Sequence, residues 1–189
     1  MSFEIRDIPA ALAIGIGATL LMDLWNLFLK RAFGIPSLNY CLLGRWVGHM
    51  AGGTLRHASI AAAEPRSNEC TIGWVSHYSI GMGLALIFVA LLSADWLARR
   101  TLLPALLYGL ATVVFPFFIL QPSLGLGVAS SRMPKPAQAR LKSLMTHSVF
   151  GVGLYLSALC LSYVVPRQHH DRSSAQGFEP VRGSSFAET

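Results

Sequence analysis

The chain has 189 residues, 53% of them hydrophobic and only 13% charged, about half the charged share of an ordinary soluble domain. That balance points to a membrane protein, and the length leaves no room for a transmembrane bundle together with a separate soluble catalytic domain. The net charge of +6 does not indicate nucleic acid: the basic residues lie in loops between apolar runs, with no basic stripe interleaved with aromatics, and lipid headgroups and positive-inside orientation account for them.

Four apolar runs are long enough to cross a bilayer, which predicts an all-α integral membrane fold with four transmembrane helices. The first, 8–29, is closed by Lys30 and Arg31. Its start (Glu4, Arg6, Asp7) is not basic and no small-residue cleavage site precedes Asp23, so it reads as an uncleaved span rather than a signal peptide. The loop at 30–71 is too long for a simple connection. Trp46, Val47, Met50 and Leu55 among Gly44, Gly48, Gly52 and Gly53 suggest a short interfacial or re-entrant helix there, with the glycines arguing against a rigid one. The second span, 72–97, has Trp74 and Trp96 near its ends as interfacial aromatics. The third, 102–121, carries Pro104 in its first turn and Pro116 inside, where a kink or break is expected. The loop at 122–143 ends in Met133-Pro-Lys-Pro, an extended or turned stretch, and its Ser130-Ser131-Arg132 reads more simply as a loop turn than as an anionic headgroup contact. The fourth span, 144–165, stops at Pro166. Residues 1–166 are thus expected to form the transmembrane domain and 167–189 a disordered polar tail, with His169 and His170 a solvated pair.

Nine basic residues fall in the two long loops and six in the terminal segments and the short turn (Arg6, Arg99, Arg100, Arg167, Arg172, Arg182). The count leans toward cytoplasmic long loops. On that orientation Cys41 and Cys70, which share the first long loop, are expected to stay reduced and unpaired.

Asp23 is the residue that demands explanation. A carboxylate at membrane depth costs roughly 2.5–3.5 kcal/mol and needs protein or water beside it. Chain direction brings the end of span one, the start of two, the end of three and the start of four to one face. At 1.5 Å per residue, Asp23 lies roughly 10 Å in from that face, His77 roughly 7 Å and His147 roughly 5 Å, with Gln121 at the rim. Asn26 follows Asp23 by three residues on the same side of its helix. Rows of small residues at four-residue steps (Ala11, Gly15, Thr19 before Asp23; Gly73, Gly81 and Ala85 around His77; Gly151 after His147) turn these groups toward the bundle interior. The expected intramembrane polar cluster is therefore Asp23, Asn26, His77, Gln121 and His147.

Several chemistries fit such a cluster. Interhelical hydrogen bonding is the plainest. A proton- or ion-linked permeation site is the next, and with only four spans it would call for a homo-oligomer. A membrane-embedded metal- or haem-binding enzyme is the alternative, with Asp23, His77 and His147 as metal ligands or the two histidines as haem ligands. No phosphate loop, GxSxG elbow, HExxH or CxxCH motif occurs, so the sequence names no cofactor and gives catalysis no signature. Arg45 and His49, four apart on the interfacial segment, read as contacts to lipid phosphate in preference to a lid over Asp23.

The stretches Met22-Asp-Leu-Trp-Asn, Gly44-Arg-Trp-Val-Gly-His-Met, Arg56-His-Ala-Ser-Ile-Ala, Gly73-Trp-Val-Ser-His-Tyr, Phe117-Phe-Ile-Leu-Gln-Pro and Thr146-His-Ser-Val-Phe-Gly resemble the bacterial membrane-protein family called domain of unknown function 2938. The resemblance covers about residues 5–165. It implies a small multi-pass protein of the bacterial inner membrane, and it brings no activity, cofactor or catalytic residue.

Overall fold

The computed structural model describes residues 4–164; the tail expected at 167–189, with His169 and His170, lies outside them. Helix α1 spans Ile8–Phe33, with Pro9 in its first turn, where a missing N–H breaks no hydrogen bond. It stops at Gly34, whose left-handed φ of 65° lets its N–H turn back to the carbonyls of Leu29 and Lys30. Helix α2 spans Tyr40–Met50, capped by the Asn39 side chain, which accepts from the Cys41 N–H. Helix α3 runs Glu69–Arg99 and α4 runs Leu102–Ala111.

The third span is interrupted, as Pro116 demands. After a turn at 112–113 the chain resumes through a π-helical turn, Pro116–Leu120, into α5, Gln121–Ser123. Pro116 has no N–H to give the helical ladder, and the Gln121 N–H reaches back five residues to the Pro116 carbonyl. Helix α6 spans Pro136–Val164, starting well before the apolar run at 144. Pro136 is its first residue, where proline is preorganised, and Ala137 to Lys142 are good helix formers despite their charge.

Four helical segments are long and apolar enough to cross a membrane: Ile5–Phe33, Glu69–Leu92, Leu102–Ser123 and Pro136–Val164. Helix α1 packs against both α3 and α6, and α4 packs against α6. Backbones approach closely where side chains are smallest. Gly15 of α1 meets Gly81 and Met82 of α3, and Gly109 of α4 meets Gly151 of α6, the usual way membrane helices gain dispersion contact. Ala11, Ile14 and Ala18 of α1, Ala85, Phe88 and Val89 of α3, and Phe150 and Leu154 of α6 form one enclosed apolar core. Two bonds hold α3 to α4: Trp96 Nε1 donates to the Thr101 carbonyl (3.0 Å) at their short connection, and Tyr108 Oη donates to the Leu84 carbonyl (2.7 Å) in the middle of α3. Outward positions such as Leu24, Leu91, Phe118 and Ile119 are exposed and apolar, as a lipid-facing surface requires.

The long loops build a cap over one end of this bundle. Helix α2 lies along the start of α3, with Gly44 against Glu69 and Gly73, Gly73 against the Tyr40 carbonyl, and Gly48 against Arg66. Cys41 and Cys70 are joined by a disulfide, contrary to the expectation that they remain apart. They are 29 residues apart in sequence, but α2 folds back antiparallel to α3 and brings them together. The second long loop is tied to the first by backbone bonds, His57 N–H to the Ser123 carbonyl (2.9 Å) and Ile60 N–H to the Leu124 carbonyl (3.1 Å). Gly125, at φ 88°, lets the two strands of loop meet, since a Cβ there would strike the Ala58 carbonyl.

Candidate functional site

The polar centre lies where α1, α2 and α3 converge beneath this cap. Asp23 Oδ1 accepts two hydrogen bonds, from Tyr40 Oη (2.9 Å) and from His77 Nε2 (3.0 Å). One carboxylate oxygen thus ties three helices. The side chains of Asp23 and His77 are only 15% and 10% exposed, so most of their interaction occurs away from solvent, where electrostatic attraction is stronger. Because a carboxylate only accepts, the proton of the His77 imidazole sits on Nε2. The Tyr40 ring stacks on the His77 ring, 4.2 Å between centroids, and packs against Trp74 at 4.5 Å. Burial, with the Asp23 carboxylate alongside, raises the Tyr40 phenol above its ordinary value and keeps it a donor. Asp23 Oδ2 is enclosed and forms no well-aligned hydrogen bond among the described residues, with the Tyr78 phenol the further polar group beside the carboxylate.

Of the other residues expected in this cluster, Asn26 and Gln121 are buried and His147 is half-buried, and they belong to separate contacts. Asn26 faces α6, where Thr146 Oγ1 donates to its Oδ1 at 3.4 Å. His147 meets α4, with its Nδ1 2.8 Å from Thr112 Oγ1. The Thr112 hydroxyl spends its single proton on the Gly109 carbonyl (2.6 Å), so His147 Nδ1 is the donor to it. Gln121 is buried, and among the described residues its Oε1 has no hydrogen-bond partner. The histidines are therefore split: His77 serves the α1–α3 contact and His147 the α4–α6 contact. Among the described residues, no group of three or more His, Cys, Asp or Glu side chains stands close enough to hold a metal ion. Asp23, His77 and His147 do not meet as a ligand set.

Arg45 and His49 are both engaged by partners within the cap. Arg45 forms a two-pronged pair with Glu69, Nε to Oε2 and Nη2 to Oε1, both at 2.8 Å. Its third nitrogen donates to the carbonyls of Ala63 (3.0 Å) and Ala61 (3.2 Å). The fork of a guanidinium matches a carboxylate in this way, and the pair pins α2 to the first turn of α3. His49 Nε2 lies 2.9 Å from the Glu64 carbonyl and its ring packs edge-on to His57. Residue-by-residue reading of the loop placed Arg45 at a lipid surface because it did not pair the loop with the helix that follows.

Tyr40, Glu69, Thr112 and Thr146 are the hydrogen-bond partners that the sequence reading missed. For the α2 contacts a signal was available. Gly44 and Gly48 form a four-residue row of small side chains on α2, and Gly73 sits at the matching end of α3. The register that joins them also sets Tyr40 beside His77, Cys41 beside Cys70 and Arg45 beside Glu69.

Residues 12–161 match the family described as Protein of unknown function (DUF2938). No curated protein and no solved structure matches the chain significantly.

Proposed function

The chain belongs to this family of unknown function, and from that membership we propose that it is a multi-pass protein of the bacterial inner membrane whose Asp23–His77 centre is a structural anchor rather than a permeation site. The observation that carries the reading is the double acceptance at Asp23 Oδ1, which joins the cap helix α2 to spans α1 and α3. Two further features support it. Toward the opposite membrane face the interior continues through Ala18, Ile14 and Ala11 of α1 and Ala85, Phe88 and Val89 of α3, a close-packed path with no carboxylate or imidazole among these core residues. The one polar side chain on that stretch of α1, Thr19, bonds to its own helix at the Gly15 carbonyl.

Asp23→Leu is expected to lower stability by about 1–3 kcal/mol, from two membrane hydrogen bonds at roughly 0.6–1.7 kcal/mol each. Asp23→Asn still offers an acceptor oxygen and should lose less. Thermal unfolding of the purified variants measures both. Unchanged stability in Asp23→Leu, together with loss of a proton flux that the wild type shows in proteoliposomes, would make Asp23 a relay and sink the anchor reading.

The disulfide bears on sidedness. A persistent disulfide needs an oxidising compartment, so we place the long loops and α2 on the periplasmic side, opposite to the lean of the charge count. The difference of nine basic residues against six is small beside a covalent bond that the cytoplasm would keep reduced. After reduction of intact cells with a membrane-impermeant phosphine, an impermeant maleimide is expected to label Cys41 and Cys70. Labelling that appears only after the membrane is broken would return the loops to the cytoplasm.

A further inference from the structure

We propose that the cleft between the two long loops binds the phosphate of an anionic phospholipid. A cavity of about 590 Å³ opens there, lined on its polar side by Arg56, His57, Ser131 and Arg132 and on its apolar side by Phe118 and Pro122. Among the described residues, no carboxylate lines it.

The state of the arginines separates this cleft from the rest of the cap. Arg45 is saturated by Glu69 and backbone carbonyls. Arg66 reaches His49, and Arg140 donates to the Ala129 carbonyl. Arg56 and Arg132 have no such partner among the described residues, and they face one cavity from two different loops. The His57 ring nitrogens, enclosed at the same place, also meet no hydrogen-bond partner among the described residues. Two guanidiniums without counter-charge, with a hydroxyl and an imidazole beside them, form a site for a phosphate group, whose oxygens match the guanidinium fork. The walls are held in place, since His57 and Ile60 bond to Ser123 and Leu124 across the cleft.

The apolar side identifies the phosphate as a lipid's. Phe118 belongs to the third span and is 59% exposed on the outer surface, and Val128 at the cleft edge is 50% exposed. The cavity therefore runs from a basic end in the cap to the lipid-facing flank of the bundle. A free phosphate would use the first part and gain nothing from the second. An amphiphile uses both, its headgroup at Arg56 and Arg132 and its chain along Phe118.

The test uses the purified full-length chain in phosphatidylcholine nanodiscs doped with phosphatidylglycerol, with retained lipid counted by native mass spectrometry. Phosphatidylglycerol is expected to be retained over phosphatidylcholine. Arg56→Gln and Arg132→Gln should each weaken retention roughly fivefold, the effect of one basic residue at an anionic membrane surface. Arg31→Gln, at the same end of the bundle but outside the cleft, should leave it unchanged. Arg56→Lys and Arg132→Lys, which keep the charge without the fork, should fall between. Equal retention by the Arg56→Gln/Arg132→Gln double variant, or an equal loss in Arg31→Gln, would overturn the site. Inorganic phosphate displacing the lipid at equal concentration would assign the cleft to a free anion and overturn the lipid.

Discussion

Removing the Cys41–Cys70 bond is expected to destabilise the chain by about 3.5 kcal/mol, the loop-closure entropy of a ring of about 30 residues. The bond spans 29 residues, and that interval holds most of α2 and all of the irregular cap at 51–68. Without it, the unfolded chain regains the freedom of the whole segment. The folded chain then keeps α2 through non-covalent contacts, among them Tyr40, Arg45, the buried Leu43 and the glycines. A Cys41→Ser/Cys70→Ser variant should unfold on the order of 10 °C below the wild type. Proteolysis should begin in the cap, because a segment held by few remaining contacts opens locally before the spans do. An unchanged unfolding temperature would mean that the non-covalent contacts of α2 suffice, and that the disulfide adds no stability.

Gly44→Leu is expected to act more severely, because it prevents α2 from docking at all. A Cβ at Gly44 would overlap the Glu69 carbonyl, and one at Gly73 would overlap the Tyr40 carbonyl. The obstructing atoms are backbone, so no side chain can rotate away. Overpacking typically costs about 1–3 kcal/mol; to this the variant adds the loss of the disulfide, because lifting α2 parts Cys41 from Cys70 as well as Arg45 from Glu69 and Tyr40 from Asp23. The readout can be counted. The wild type has three cysteines and one free thiol, Cys160, whereas Gly44→Leu should titrate as three free thiols. Gly83→Leu, where a Cβ meets nothing within 4 Å, should keep one. One free thiol and normal stability in Gly44→Leu would show that α2 does not depend on this contact.

The four spans were legible because hydropathy over some twenty residues reports a property of the whole segment, and lipid enforces it. Their ends were less so. Helix α6 begins at Pro136 because helix formation continues past the apolar run into a charged but helix-favouring turn, and α3 begins at Glu69, where Arg45 and the disulfide hold its first turn against α2. The depth arithmetic placed Asp23 and His77 at one level, and they do bond. It placed His147 there as well, yet His147 bonds to Thr112. Depth fixes height along the membrane normal, whereas a contact also needs the rotation of each helix, and a four-residue row drifts by about 40° per step. Gly44 and Gly48 show a different difficulty. Propensity counts glycine as a helix breaker, but a helix packed against another gains more from close approach than it loses in backbone entropy. The Cys41–Cys70 pair depended on that packing and so was hidden with it.

The placement of α1 between α3 and α6 also sets a timetable for synthesis. The partners of Asp23 lie near in the chain: Tyr40 is 17 residues on and His77 is 54. At roughly 5–20 residues per second a ribosome delivers His77 within roughly 3–11 s of Asp23. Thr146, the partner of Asn26, is 120 residues away and follows after roughly 6–24 s. The costly carboxylate is thus matched by the first helix pair to be completed, while the neutral amide waits for the last. Had the two residues been exchanged, the nascent protein would have carried an uncompensated charge in the bilayer until its final span was made.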